Sequence, residues 1–536
     1  MIATTRRAAL LSAFATAGLA ALAPPALARQ GGARQADRAG AAIDRLALDV
    51  MAAFPDQPGL GLCVVEDGQV TLARGYGVRR LGGTDPVTDA TLFGAASLTK
   101  AFTAAALAML VEDGKVGWDD PVTRHLPEFA MSDPVVTRLM TVRDLLCHRS
   151  GLSLGAGDLM IWPDATHSRA EIVAGLKRLP LSGPFRGGYA YDNVLFVAAG
   201  QVIAAVTGAP WEAFIQTRIL DPLKMADSAP LPSLAGSRPR AQPHARLGPP
   251  ARGLGAQAVL PAYASFEAGA AAGGLQASAR DLGRWMQVQL GLGTTPGGVR
   301  LWTEASAREM WRPQTITGWS DGPTADDPGR ALMEAYGLGW FVSDYRGEKL
   351  VWHTGGLAGY LAYIGLLPGR RSGIAVLLNA EEGAVLRALS SGGPDRLQGR
   401  SDFDWIASSK ALQARSDAQL EEAATEALVP KGGGLAPSLP LAAYAGTYRD
   451  PWYGTVTVSV AGKGLRIAFD KTPALRGALE PFDGDTFKTR FDDRAVENAF
   501  VTFAVRAGKV AGATMLAVSP GADFSYDYQD LRLARV

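Results

Sequence analysis

Phe93-Gly94-Ala95-Ala96-Ser97-Leu98-Thr99-Lys100 opens an apolar run that continues, rich in alanine and leucine, to Glu112. The run has almost no polar side after its first turn, which is typical of a helix that is buried all round. Gly114 is suited to ending such a helix. We therefore predict a buried helix over residues 97–112, with Ser97 and Lys100 on one face of its N-terminus.

Ser97 and Lys100 are a candidate nucleophile and its base. A helix N-terminus offers unpaired N–H groups and a positive dipole, which stabilise a developing oxyanion. Burial lowers the pKa of a lysine, and a neutral amine beside a serine can accept the hydroxyl proton. The pattern Ser-x-x-Lys also occurs by chance about once in a chain of this length. A simpler interpretation stays open, in which Ser97 caps the helix and Lys100 lies at the surface.

The composition is ordinary for a globular enzyme with more than one domain: 536 residues, 47% hydrophobic and 20% charged. The formal net charge of +1 gives no support for a nucleic-acid or anionic-membrane partner. Cys63 and Cys147 lie in apolar surroundings and are predicted to be buried free thiols rather than a disulfide. Neither has metal-site spacing, so we expect no metal and no cofactor.

Residues 1–28 are predicted to be a signal peptide. Arg6-Arg7 precede an apolar run over residues 8–22, and Ala26-Leu27-Ala28 has the form of a cleavage site. The start resembles a twin-arginine signal. The apolar run is shorter than the roughly 20 residues that a membrane helix needs. We expect a periplasmic or secreted protein that begins near Arg29 and has no membrane span once the signal is removed.

The pattern of the chain up to residue 415 indicates an α+β domain. Helices are predicted over residues 41–54, 97–112, 133–148, 211–219 and 279–290. Strands are predicted over residues 59–66, 69–74, 337–343, 349–352, 362–367 and 374–379. An antiparallel sheet flanked by helices, with a helical lobe, accommodates this order.

The last part of the chain has a different texture. Residues 416–428 are acidic and helical in character, and residues 430–440 are rich in glycine and proline. From Tyr444 onwards, short β-rich runs alternate with Gly and Asp turns. We therefore predict a domain over residues 29–415, a linker over residues 416–443, and a small β-barrel or sandwich over residues 444–536.

Two further groups of residues are candidates for a site. Tyr191 and Asn193 point the same way if their segment is extended, and a tyrosine near a lysine loses its proton more easily. The simpler interpretation of this segment is a turn. In the second group, Trp352-His353-Thr354-Gly355-Gly356 follows a predicted strand, and its glycines allow a backbone edge to approach a ligand closely. Alternatively, His353 is a strand-end histidine bonded within the fold.

In this order and at these separations, the three groups resemble the motifs of the serine β-lactamase and penicillin-binding-protein superfamily, in particular its class C-like branch of esterases and D-peptidases. The family pattern reads Ser-x-x-Lys, Tyr-x-Asn and Lys/His-Thr/Ser-Gly. The resemblance covers residues 41–382, and Tyr444-Ala445-Gly446-Thr447-Tyr448 resembles the start of a β-domain often appended to this branch.

The resemblance implies acyl transfer through an acyl-enzyme. Ser97 attacks a carbonyl, while Lys100 and Tyr191 move its proton to the leaving group. By the same analogy, the N–H groups of Ser97 and Gly356 form the oxyanion hole, and Asn193 orients the substrate. The other residues of the third motif line the edge-strand side of the site: His353, Thr354 and Gly355.

The substrate expected from the sequence is an ester, amide or peptide. Family members that bind a substrate carboxylate usually have lysine at the position of His353, and neutral histidine is a weaker anchor. We therefore expect an esterase or a D-amino-acid peptidase or amidase, with a β-lactamase or D,D-carboxypeptidase as the alternative. Lowering the pH toward about 6.5 is expected to improve the use of anionic substrates. Asp192 is expected to face solvent, or otherwise to meet a substrate amine.

Two other interpretations of the chain are open. Gly151-Leu152-Ser153-Leu154-Gly155 matches the Gly-x-Ser-x-Gly elbow of α/β-hydrolases, but that elbow needs a strand before the serine and a helix after it. A helix-like segment precedes this one, so we do not expect Ser153 to be the nucleophile. The non-enzymatic alternative is an inactive hydrolase whose β-domain binds cell-wall or surface glycan.

Overall fold

The computed structural model describes residues 27–262 and 266–536. The predicted signal peptide falls almost entirely outside the described residues. The helices, in chain order, are α1 Leu27–Ala53, α2 Thr99–Glu112, α3 Val122–His125, α4 Pro134–Leu139, α5 Arg169–Gly175, α6 Val194–Thr207, α7 Trp211–Ile215, α8 Ala270–Gly273, α9 Ala279–Leu290, α10 Glu304–Met310, α11 Gly383–Leu397 and α12 Trp405–Ala427.

The strands form one large sheet, one barrel and two small pairs. Those outside the barrel are β1 Gly59–Glu66, β2 Gln69–Gly77, β3 Phe93–Gly94, β4 His244–Arg246, β5 Gln257–Val259, β6 Gln276–Ala277, β7 Thr315–Trp319, β8 Met333–Tyr336, β9 Phe341–Tyr345, β10 Glu348–Leu357, β11 Tyr360–Leu367 and β12 Ser372–Leu378. The barrel strands are β13 Gly446–Asp450, β14 Gly454–Ala461, β15 Gly464–Phe469, β16 Arg476–Asp483, β17 Thr486–Phe491, β18 Ala499–Arg506, β19 Lys509–Ala517 and β20 Leu533–Arg535.

Within the described residues, the large sheet is eight-stranded and antiparallel, in the order β2-β1-β12-β11-β10-β9-β8-β7. Every residue of β1 is buried, because both of its faces are covered. Leu62 and Val64 pack in one core with α1 and α11, whereas Cys63 and Val65 belong to the core on the opposite face, where α9 lies. The period of two along a strand therefore divides one apolar run between two cores.

The helical lobe is built around α2. Its residues from Thr99 to Leu110 are buried, as the apolar run predicts. Phe102 stacks on Trp285 with ring centroids 3.7 Å apart, which joins α2 to α9. A short 3₁₀ turn, Ala96–Leu98, carries Ser97 into the start of α2. The buried helix thus holds this turn against β10, a strand inside the sheet.

The predicted fold class is confirmed: an α+β domain with an antiparallel sheet is followed by a closed barrel, β13–β20, in the part of the chain that the structure describes. The first hairpin and α9 are also as predicted. Cys63 and Cys147 are buried free thiols, as predicted. α12 extends across residue 415, so the predicted start of the linker lies inside a helix.

The helix predicted over residues 133–148 is wrong. α4 ends at Leu139, Met140 is extended, and only a 3₁₀ turn, Asp144–Leu146, follows. The extended piece forms because Thr141 pairs with Pro121 in an isolated bridge, and because the Asp144 carboxylate accepts from the Thr141 N–H at 3.0 Å. The local contact with Asp144 and the more distant contact with Pro121 replace the helical hydrogen bonds that local propensity favours.

In the described ranges, no individual helix is both long and apolar enough to cross a membrane. The pair formed by Val194–Thr207 and Trp211–Leu220 passes that length and composition test together, but it is bent by 75°. In this structure α6 is a buried helix of the core.

Candidate active site

Ser97 lines a cavity of about 350 Å³, between the helical lobe and the C-terminal end of β10. Ala96, which precedes it, has φ +49°, a left-handed conformation that non-glycine residues rarely adopt. Such backbone strain is typical of functional sites. The cavity wall is largely aromatic and aliphatic, and its large apolar members are Leu154, Ile161, Trp162, Phe266, Phe341, Leu357 and Phe524.

Lys100 is fully buried directly behind Ser97. Its Nζ lies 2.9 Å from Ser97 Oγ, 2.7 Å from Asn193 Oδ1 and 2.9 Å from the Ala272 carbonyl oxygen. The amide and backbone oxygens can only accept, so they take two N–H groups and direct the third position of Nζ at the serine. Burial lowers the pKa of Lys100 to about 7, although the Asp158 carboxylate opposes that shift. Near neutral pH, a large fraction of the amine therefore has a free lone pair aimed at Ser97.

Tyr191 lies beside this pair, with Lys100 Nζ 4.8 Å from the centre of its ring. Burial holds the pKa of Tyr191 well above its ordinary value, and a hydrogen bond with Ser97 offsets only part of that effect. The phenolate expected beside the lysine is therefore not favoured, because desolvation disfavours the charged form of Tyr191. Tyr191 keeps its proton, and its hydroxyl contacts the serine as a donor or acceptor.

Asn193 links Lys100 to a residue that the sequence analysis did not select. While Asn193 Oδ1 accepts from Lys100, its Nδ2 donates to the Asp158 carboxylate at 2.7 Å. Asp158 also accepts from Ser525 Oγ at 2.8 Å, across 367 positions of the sequence. Neither residue stands in a motif, so only the folded chain reveals them.

The third motif forms the end of β10. The pairing with β9 covers only residues 348–352 of β10, so among the described strands the following residues have no partner on that side. This free edge contacts the Ser97 turn: a Cβ on Gly355 would lie 2.5 Å from Ala95 O and 3.1 Å from Ser97 N. Thr354 and Gly356 are exposed toward the cleft, whereas His353 and Gly355 are buried.

His353 does not offer a charge to the cleft. Its Nδ1 faces the Thr354 carbonyl oxygen at 2.5 Å and must donate, and its Nε2 lies 2.8 Å from the Tyr336 hydroxyl and accepts from it. Burial, reinforced by the Lys100 charge, lowers the pKa of His353 to about 3. This environment argues against the expected response of anionic substrates near pH 6.5, because an unperturbed histidine pKa does not apply to a buried ring with both nitrogens bonded.

Asp192 is buried, so the expectation that it faces solvent is also wrong. Ser150 Oγ donates to its carboxyl group at 2.6 Å, and its backbone N–H donates to His148 Nδ1 at 3.0 Å. Burial raises the pKa of Asp192 well above the ordinary range. Asp192 therefore fixes the segment that carries Tyr191 and Asn193, and it does not meet a substrate.

Ser153 lies outside this arrangement. A 3₁₀ turn, not a strand, precedes its segment, and its Oγ donates to Asp530 of the C-terminal part of the chain at 3.3 Å. Ser153 is not among the described residues that line the cavity. The Gly-x-Ser-x-Gly match therefore lacks the geometry of a nucleophile elbow.

Comparison with known proteins agrees with this geometry. A family model described as Beta-lactamase matches residues 48–390, which is more than half of the chain. The chain belongs to the β-lactamase family. It is thus a serine hydrolase of the superfamily that also contains the penicillin-binding proteins, as the three motifs predicted. A second model, described as a domain of unknown function (DUF3471), matches residues 431–535, where the barrel lies.

Several curated relatives share this family. An unguisins hydrolase of Aspergillus campestris is 30% identical over 75% of this chain and 74% of its own length. One from Aspergillus violaceofuscus is 27% identical over 80% of this chain and 79% of its own. Penicillin-binding protein 4 of Amycolatopsis lactamdurans is 28% identical over 60% of this chain and 81% of its own.

Solved structures share the fold. The octameric penicillin-binding protein homologue from Pyrococcus abyssi covers 92% of this chain and 99% of its own, with a TM-score of 0.56 and 22% identity. The D-amino acid amidase from Ochrobactrum anthropi SV3, complexed with L-phenylalanine amide, covers 70% of this chain and 99% of its own, with a TM-score of 0.53 and 23% identity.

Proposed function

We propose that this serine hydrolase cleaves amides or esters that carry an apolar acyl group, with Ser97 as nucleophile and Lys100 as base. The observation that carries the proposal is the hydrogen-bond pattern of Lys100, whose Nζ lies 2.9 Å from Ser97 Oγ while two oxygens that only accept fix its other positions. A neutral amine held in this way accepts a proton from the serine hydroxyl.

The reaction then follows from the positions of the groups. As Ser97 Oγ bonds to the substrate carbonyl carbon, its proton passes to Lys100 Nζ. The N–H groups of Ser97 and Gly356, which both line the cavity, stabilise the oxyanion. When the C–N or C–O bond breaks, Tyr191 delivers a proton to the leaving group and regains one from Lys100. Water then hydrolyses the acyl-enzyme with the same groups in the reverse roles.

The cavity favours substrates without a carboxylate next to the scissile bond. No arginine or lysine is found among the described residues that line it, and neutral His353 offers no charge. The Asp523 carboxyl group lines the cavity and is suited to a substrate amino group instead, although burial raises its pKa. We therefore place amides or peptides of apolar D-amino acids, and neutral esters, above β-lactams and D,D-peptides. The relatives named as unguisins hydrolases and the D-amino acid amidase fold are consistent with this choice.

Labelling with a fluorophosphonate tests the nucleophile. Intact-mass measurement should show one adduct on the wild type, and peptide mapping should place it on Ser97. Ser97→Ala should lose both the adduct and ester hydrolysis, whereas the matched Ser153→Ala should keep both. An adduct on Ser153 would overturn the proposal, and so would a wild-type protein that takes no label and hydrolyses neither esters nor amides.

We also propose that the protein is exported, on the strength of the pattern in residues 1–28. N-terminal sequencing of the extracytoplasmic protein should find a start near Arg29. Retention of Met1 in the exported protein would contradict this.

A further inference from the structure

We propose that Asp158 and Ser525 are positioning residues of the active site, through which the C-terminal barrel domain holds Lys100 in its working orientation. The inference rests on the function proposed above, since it concerns the base of that reaction. Asp158 lies in the 3₁₀ turn Asp158–Met160 of the helical lobe, and Ser525 lies between β19 and β20. The two domains thus meet directly behind the nucleophile.

Asp158 fixes the orientation of the Asn193 side chain. Its side-chain amide has one end that accepts and one end that donates. Asp158 Oδ2 accepts from Asn193 Nδ2 at 2.7 Å, and this turns Asn193 Oδ1 toward Lys100 Nζ at 2.7 Å. Without the carboxylate, a flipped amide would present N–H groups to the amine, and one of the two oxygens that orient Lys100 would be lost.

The barrel domain supplies a second hydrogen-bond donor to Asp158. Ser525 Oγ donates to the same oxygen, Asp158 Oδ2, at 2.8 Å. Asp158 Oδ1 is buried and has no hydrogen-bond partner among the described residues. The Asp158 carboxyl group is therefore hydrogen-bonded through one oxygen only, by one donor from each domain. If the Ser525 hydroxyl is removed, Asn193 is the sole side-chain donor to Asp158 among the described residues.

Further contacts hold the barrel rigidly against the turn that carries Asp158. Two residues after Ser525, the buried Asp527 accepts from Gly157 N at 2.6 Å and from Leu159 N at 3.0 Å. These N–H groups flank Asp158 on both sides, so the barrel holds the turn as well as its carboxyl group. One residue before Ser525, Phe524 packs edge-on against the Tyr191 ring with centroids 5.9 Å apart.

The charges around the pair set the direction of the expected pH effect. Lys100 is influenced by Asp158 and lies near Tyr191, and it acts in turn on His148 and His353, whose pKa values are both lowered by burial. Burial raises the pKa of Asp158 to about 7, while the hydrogen bonds from Asn193 and Ser525 and the Lys100 charge lower it and Asp523 raises it. Asp158 acts in turn on Asp192 and Asp527. Because the Asp158 charge raises the pKa of Lys100, its loss should shift the base toward its neutral form at lower pH.

The test uses the full-length protein and the pH dependence of kcat and KM for p-nitrophenyl butyrate. Ser525→Ala and Asp158→Asn should each lower kcat about ten- to a hundredfold while KM changes less than about threefold. In both variants the acidic limb of kcat/KM should move to lower pH. Ser525→Thr, which keeps a hydroxyl, should restore most of the rate, and Ser459→Ala, at an exposed serine of the barrel, should match the wild type.

A merely structural role predicts a different result. If Ser525→Ala loses rate equally at all pH values with the acidic limb unmoved, or if it keeps the wild-type kcat, the inference is overturned. Thermal unfolding of each variant shows whether the fold is retained, and Ser525→Ala with Ser525→Thr decides the question if Asp158→Asn does not fold. Fluorophosphonate labelling of the wild type separates the two proposals, because only the failure of Ser97 to react counts against the function itself.

Discussion

At the scale of single residues, Lys100 combines full burial with three oxygen neighbours, and in the proposed mechanism this combination sets the pH at which the base is neutral. Its ordinary pKa would leave almost every molecule protonated at neutral pH and unable to act as a base. Desolvation lowers the pKa of Lys100 to about 7, so much of the amine is neutral at that pH. The chemistry therefore depends on the environment of the lysine more than on its presence in a motif.

The pH dependence of the reaction should report this lysine. Because burial lowers the pKa of Lys100 to about 7, kcat/KM for a neutral ester should rise with pH up to about 7 and level off above it. Lys100→Arg should lose at least about a hundredfold at every pH, since arginine stays protonated. Lys115→Arg, at an exposed lysine, is the matched control. A flat profile between pH 5.5 and 8 would remove Lys100 from the role of base.

His353 should not make the enzyme pH-selective. Since its pKa is lowered to about 3 and both ring nitrogens are bonded, it stays neutral throughout the working range. The ratio of kcat/KM for a neutral ester to that for a matched ester ending in a carboxylate should change by less than about twofold between pH 5.5 and 7.5. A clear gain of the anionic ester with a midpoint near 6.5 would show that His353 titrates and faces the substrate.

At the scale of elements, the free end of β10 and the turn before α2 form one unit. The closeness of Gly355 to this turn leaves no room for a side chain, since a Cβ there would approach Ala95 O to 2.5 Å. The proposed oxyanion site, formed by the N–H groups of Ser97 and Gly356, lies where the two elements meet. Its geometry therefore depends on their separation, and a shift of about 1 Å at such a site costs up to about a hundredfold in rate.

Gly355→Ala should therefore reduce kcat by about tenfold or more, because the strand must move away from Ser97. Gly318→Ala is a matched control in β7 of the same sheet, where a Cβ would meet only Glu334 Cβ at 3.7 Å. It should leave kcat within about twofold. Steady-state kinetics on p-nitrophenyl butyrate, with circular dichroism to verify the fold, distinguishes the two. Equal rates for the two variants would show that the contact is not tight in solution.

The elements that the sequence predicted well are those with a strong local pattern. Residues 59–66 form β1 because their apolar run and Asp-Gly turn are sufficient, and α9 has one apolar face. The helix predicted over residues 133–148 is wrong because the Thr141 N–H donates to the Asp144 carboxylate instead of to a helical carbonyl group. Asp158 and Ser525 could not be predicted from any sequence pattern, because their proposed role depends on a hydrogen bond between two domains.

At the scale of the whole molecule, the barrel is a second wall of the catalytic cavity. Asp523, Phe524 and Ser525 line it together with residues of the α+β domain. Asp527 contributes to the attachment, because its buried carboxyl group accepts from two backbone N–H groups of the helical lobe. A change in this attachment should therefore alter both stability and activity.

Asp527→Ala should weaken the attachment of the barrel. The change leaves the Gly157 and Leu159 N–H groups buried without their partner, at a cost of about 1–3 kcal/mol each. We expect a lower temperature for the first thermal transition and a fall in kcat. Asp530→Ala, which removes only a 3.3 Å hydrogen bond from Ser153, should change both quantities little. If the two variants unfold at the same temperature, Asp527 does not hold the domains together.

The position of β1 in the sheet has a consequence for how the protein is made. β1 pairs with its neighbour β2 along the chain, but its other edge pairs with β12, where Leu60 lies opposite Leu378. During translation, that edge stays unpaired until more than 300 further residues have left the ribosome. Unpaired apolar edges recruit other chains, so slower expression at low temperature should raise the yield of correctly folded protein.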